Sequence, residues 1–244
     1  MKRLIFRADR LFIKICGVCS TDDAETCLAA GADAIGMLLG KRGAVIDPQS
    51  DQLTLEEAAA LSRTISERLP SVILIHSTNI DTVSDIYEAI RPSALQLQSD
   101  FSNDELRALK ARLPDVQLIK TLYVTPGKDA PAVIADVSKY LQSEMLDAIN
   151  LDSARGGSGE AHDWNVSKAV VASAPPIPIL LAGGLNPANV AAAILTVKPD
   201  GVDAMSALNT AIRRKKDPQK IADFIHAARN ASTEPDDVRN SDRI

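Results

Sequence analysis

Three short stretches of this 244-residue chain carry side chains able to do chemistry. Lys14-Ile15-Cys16-Gly17 closes an apolar run, so a thiol stands where the run ends and Gly17 lets the chain turn sharply. A cysteine there is a soft nucleophile or base, and the same pattern fits a buried apolar thiol. Asp152 leaves another apolar run and opens onto Ser153-Ala154-Arg155-Gly156-Gly157-Ser158-Gly159. A glycine loop that closes over a ligand excludes water from that carboxyl, raises its pKa and makes it a usable acid. A helix cap or an ion pair with Arg155 is the structural alternative. The third stretch is Leu181-Ala182-Gly183-Gly184-Leu185-Asn186-Pro187. Its two glycines expose backbone N–H groups ahead of a helix, as a phosphate site requires and as a tight turn also does.

Lesser candidates surround these. Alternation along a strand puts Lys14 on the face of Cys16, where it supplies positive charge or pairs elsewhere. A thiol of pKa about 8.5 needs such help to ionise at neutral pH, and a thiolate base implies an alkylation rate that rises below pH 8. Cys16 and Cys19 form a Cys-x-x-Cys with no second ligand pair nearby, a weak metal or redox signal. His76 reads as a second acid or base, or as a hydrogen-bonded structural side chain. Arg213-Arg214-Lys215-Lys216 reads as a solvated helix start in preference to a polyanion site.

The elements that position these groups follow from hydrophobic periodicity. Strand-like runs begin at Phe12, Asp33, Val72, Ala94, Val116, Asp147, Ile177 and Gly201, each followed by an amphipathic helical stretch. Eight strand–helix units in a chain of this length, with no break in composition, predict one α/β domain: a single (β/α)8 TIM barrel over residues 1–229. An open parallel sheet is the other arrangement of the same units. Residues 230–244 are polar without apolar period and read as a disordered tail. Chemistry in such a barrel sits where strands end, which is where Cys16, Asp152 and Gly183 fall.

Composition narrows the function classes. Aromatics make up only 3% of the chain, so the core is aliphatic. A net charge of −5 gives no reason to expect nucleic acid. No stretch approaches the ~18 apolar residues of a membrane span, and no secretory leader is legible. Three cysteines, an odd number, argue against a disulfide framework and for the cytoplasm.

Taken together the motifs resemble phosphoribosylanthranilate isomerase of tryptophan biosynthesis. The matching pieces are KICGV at 14–18, AGADAIG at 30–36, LQLQ at 95–98, LDSARGGSGEAHDWN at 151–165, LLAGGLNPANV at 180–190, PDGVDAMS at 199–206 and KDPQKIADFI at 216–225. The resemblance implies a cofactor-independent aldose–ketose isomerase, monomer or homodimer, that performs an Amadori rearrangement on a phosphosugar without a metal. It implies Cys16 as general base and Asp152 as general acid. Lys14, Arg42, Gln98, Gly156, Gly157 and Gly159 fall to substrate binding, and Gly183, Gly184 and Ser206 to phosphate. The departures are specific. The family's Ser-Pro-Arg after the second strand is replaced by a segment in which Arg42 is the substitute. Its His-Gly after the fourth strand is Gln98-Ser99, and a phosphate-contacting Ser and Gly have become Met205 and Ala207. Those changes keep two alternatives open: a paralogue acting on a different amine-bearing sugar, and a non-catalytic ligand-binding barrel.

Overall fold

The structure is a computed structural model that describes residues 2–40, 50–153, 161–212 and 214–233. Strands β1 (Phe12–Ile15), β2 (Ala34–Leu39), β4 (Ser71–Ile75), β5 (Ala94–Leu97), β6 (Gln117–Val124), β7 (Ala148–Ser153), β8 (Ile179–Leu181) and β9 (Gly201–Ala204) pair in parallel, and pairing of β1 with both β2 and β9 closes the barrel. The open-sheet arrangement is thereby excluded. A two-residue strand, β3 (Gln52–Leu53), adds to β2 and was not expected from periodicity. The helices are α1 (Thr21–Ala30), α2 (Leu55–Ile65), α3 (Ile80–Ile90), α4 (Asn103–Arg112), α5 (Ala130–Leu141), α6 (Trp164–Ala172), α7 (Val190–Val197) and α8 (Pro218–Thr233). Local chemistry starts them: Ser20, Asn79 and Asp129 cap α1, α3 and α5, and Thr54 and Ser102 form full capping boxes on α2 and α4. Among the described residues no helix is long and apolar enough to cross a membrane.

Period-two alternation sorts each strand into two faces. Ile13, Ile15, Ile35, Met37, Ile73, Ile75, Leu95, Leu97, Ile149, Leu151 and Leu181 join the core between barrel and helices. The other face fills the barrel. Its lowest tier is apolar: Phe12, Ala34, Val72, Ala94, Ile119, Ala148 and Leu180, closed from below by Leu4. The segment before β1 thus plugs the barrel floor. Gln117 fixes it by accepting from the Leu4 N–H at 2.7 Å and donating to the Leu4 carbonyl at 3.3 Å, which completes the hydrogen bonding of a backbone unit that has no strand partner.

Two boundaries differ from periodicity. Periodicity after the Gly183-Gly184 turn places a helix from Pro187, but it begins only at Val190. Asn186 and Asn189 brace the intervening turn instead, the Asn189 amide donating to the Gly184 carbonyl at 3.0 Å. At the other end α8 continues to Thr233, past the expected start of the polar tail, because Ala231 still reaches the core.

Candidate active site

Continuing the same alternation upward turns the barrel interior polar. The second tier holds Lys14, Gln96, Thr121, Asn150 and Asp203, all buried. The third tier holds Cys16, Leu38, His76, Gln98, Tyr123, Asp152, Gly184 and Met205, and every one of them lines a single cavity of about 230 Å³. Gly183 and Ser206 complete its rim on the side of β8 and β9. A residue two positions on from a buried strand residue points the same way, so the cavity wall is the continuation of eight core stripes past the strand ends.

Cys16 enters from β1 and Asp152 from β7, with β8 and β9 between them in the wall. The Asp152 carboxylate accepts the Ser153 N–H at 2.8 Å. Burial, helped by the negative charge of Asp203, lifts its pKa to about 6 against the pull of that hydrogen bond and of Lys14. A carboxyl of that pKa exchanges protons readily near neutrality, which is what a general acid needs.

Cys16 lies against Gly36 of β2. A Cβ at position 36 would sit 2.6 Å from its Sγ and 3.1 Å from the Lys14 Cε, so only glycine leaves room for the thiol. Gly36→Ala therefore pushes Cys16 out of place. Turnover should fall at least ~10-fold, and the melt should drop by an amount equivalent to about 1–3 kcal/mol of overpacking. Normal turnover in the alanine variant would show that the thiol position is not critical.

Of the two roles open to Lys14, the structure shows the pairing elsewhere. Its Nζ is fully buried and donates to Asp203 Oδ2 at 2.6 Å, so its charge is largely offset where it sits. Burial pushes the Cys16 thiol up, and this outweighs the opposite pulls of Lys14 and Lys216. Burial therefore moves the expected rise in alkylation from below pH 8 to above the ordinary thiol range.

Asp203 was not singled out in the sequence. It is 7% exposed, lines the cavity, and among the described residues its Oδ1 has no hydrogen-bond partner. The available signal was a carboxylate alternating with apolar residues inside Gly201-Val202-Asp203-Ala204. Gln98 accepts the Tyr123 hydroxyl at 2.5 Å on the cavity wall. His76 also lines the cavity, and burial lowers its pKa. Gly183 and Gly184 hold φ of +83° and +64°, and a Cβ on Gly183 would meet Ser153 N at 2.8 Å. Met205 lays its side chain against Gly17, 3.1 Å from where a Cβ would stand. Arg42, Arg155, Gly156, Gly157 and Gly159 lie outside the described residues. Cys16, Cys19 and Cys27 are all unpaired thiols.

Residues 13–227 match the sequence profile described as N-(5'phosphoribosyl)anthranilate (PRA) isomerase. The chain belongs to the N-(5'-phosphoribosyl)anthranilate isomerase family. The enzyme of that name from Methanocella arvoryzae is 38% identical over 221 residues, spanning 89% of this chain and 97% of the relative. Among solved structures, N-(5'-phosphoribosyl)anthranilate isomerase from Pyrococcus furiosus superposes with a TM-score of 0.74 at 26% identity, over 91% of this chain and 100% of the other. A phosphoribosyl anthranilate isomerase in complex with reduced 1-(o-carboxyphenylamino)-1-deoxyribulose 5-phosphate superposes with a TM-score of 0.70 at 25% identity, over 90% and 99%. Membership of an isomerase family in the fold described by β1 to α8 agrees with the expectation drawn from the motifs. The family's N-(5'-phosphoribosyl)anthranilate isomerase profile begins at residue 13, so the barrel-floor plug around Leu4 lies outside it.

Proposed function

We propose that the protein converts N-(5'-phosphoribosyl)anthranilate, an aminoaldose, into its aminoketose, with Asp152 as general acid and Cys16 as general base. The carrying observation is a single cavity into which a carboxyl with pKa near 6 and a buried thiol open from β7 and β1. Asp152 gives its proton to the furanose ring oxygen. The C1–O bond breaks as the nitrogen lone pair forms C1=N. The Cys16 thiolate then takes the C2 proton, and that electron pair forms C1=C2 and neutralises the nitrogen. The enolamine becomes the ketone when C1 gains a proton and the C2 hydroxyl loses one.

Asp203 supports both ends of this scheme. Its charge raises the Asp152 pKa, and its unpartnered Oδ1 is an acceptor for a sugar hydroxyl. Gly183, Gly184 and Ser206 offer the phosphate an edge rich in backbone N–H groups, while Met205 narrows the Gly17 side. Gln98, held by Tyr123 through its carbonyl oxygen, keeps its amide donor for the substrate. The three free thiols suit a cytoplasmic setting.

In the free enzyme at neutral pH, Asp152 is mostly ionised and Cys16 mostly protonated. The working form, with the proton on Asp152, is a minor tautomer of that one-proton state. Its share is constant between the two pKa values. The rarity is offset in part because a high-pKa thiolate is a strong base and a carboxyl near 6 a stronger acid than water. Incubation with phosphoribosylanthranilate tests the proposal: its fluorescence should be lost over many turnovers. No loss beyond spontaneous breakdown at equimolar enzyme would remove it.

A further inference from the structure

Lys216, the last of the basic run, is not part of a solvated helix start as the composition suggests. Lys216 is 1% exposed, and α8 starts after it, at Pro218. Its Nζ donates to the Met205 carbonyl at 3.1 Å and to Asn209 Oδ1 at 2.7 Å. Asn209 in turn donates to Asp51 at 3.1 Å, and Asn209 and Lys216 form an antiparallel bridge. The ammonium thus closes the turn that follows β9, whose first residues, Met205 and Ser206, are cavity wall.

The same Nζ stands behind Gly17. A Cβ built on that glycine would lie 3.4 Å from it, and Gly17 follows Cys16 directly. Both acceptors of the ammonium are neutral oxygens. Asp23 and Asp51 are met only through the Lys216 backbone N–H, at 3.2 Å, and through Asn209. Among the described residues the ammonium bonds directly to neutral oxygens alone, a costly burial that Asp51 behind Asn209 offsets in part and an anion at Cys16 offsets further.

We propose that Lys216 is a positioning residue of the isomerase site, whose ammonium shapes the Met205–Ser206 edge and places behind Gly17 the positive charge that favours the Cys16 thiolate. This rests on Cys16 being the base. The charged groups facing Cys16 are Lys14, Asp203 and Lys216, and the first two act with opposite signs as a bonded pair. Lys216 is the cation left over. Burial lowers the Lys216 pKa, and the groups facing it, Cys16, Asp51, Cys27 and Cys19, pull back toward the charged form.

Two variants separate charge from hydrogen bonding. Lys216→Met removes both, and Lys216→Gln restores a donor without the charge. Iodoacetamide labelling of the folded proteins against pH, resolved by mass spectrometry into Cys16, Cys19 and Cys27, reads the charge. Substrate KM reads the edge. The Cys16 midpoint should rise by about one pH unit in both variants, in line with loss of a nearby opposite charge. KM should rise ~10-fold in Lys216→Met and return toward wild type in Lys216→Gln. An unmoved Cys16 midpoint in both variants overturns the proposal. Full turnover by Cys16→Ser would instead overturn the acid–base reading, whatever Lys216 does.

Discussion

Asp152→Asn lowers kcat by roughly 10²–10⁴-fold and makes the protein more stable at neutral pH. The loss follows because an amide has no proton to give to the ring oxygen. The gain follows from the raised pKa of about 6 against an ordinary value of 3.8. Between those values the folded state binds more protons than the unfolded state. Stability from this group is therefore full below about pH 4 and is lost as pH rises through 6. At pH 7 the ionised, buried carboxylate burdens the fold by at most about 3 kcal/mol, and by roughly 1–3 kcal/mol once its partial exposure is discounted. Asparagine removes that burden while its carbonyl keeps the Ser153 N–H bond. Melting curves at pH 7 and pH 4 check the sign: the variant should melt higher at pH 7, with the difference gone at pH 4. Full activity, or a gain independent of pH, would contradict the role given to this carboxyl.

Cys16→Ser is the second large effect, also ~10²–10⁴-fold in kcat. The hydroxyl occupies nearly the same space between Lys14 and Gly36, so the fold and KM should change little. Its pKa is far above that of even a buried thiol, so the base is lost. The variant should also lose the iodoacetamide labelling at position 16 that wild type is expected to gain above the ordinary thiol range, while Cys19 and Cys27 stay available. A Cys16→Ser protein that turns over at the wild-type rate would remove the thiol from the mechanism.

Much of the site is readable from alternation alone. Phe12, Lys14 and Cys16 climb one inner stripe, and Ala148, Asn150 and Asp152 another, so the strand ends mark the wall. What alternation does not carry is pairing at a distance. Lys14 and Asp203 are 189 residues apart, and only closure of β1 on β9 brings them together and decides that Lys14 pairs elsewhere. Burial likewise acts through packing. The thiol beside Lys14 is pushed up by the surrounding core, whereas on the carboxyl burial and Asp203 act in one direction. Lys216 failed for a related reason: a basic run looks solvated in composition, while a turn built on Asn209 buries its last member.

Dependence of kcat on pH tests the pairing of acid and base most directly, because at saturating substrate the ionisation of free phosphate does not enter. A bell is expected. The rate should fall in inverse proportion to proton concentration below an inflection near or above pH 6, hold level through neutrality, and fall again above the raised Cys16 pKa. A rate that stays high on the acid side and declines only above pH 6 would mean that Asp152 acts without a titrating base, and would contradict the pair.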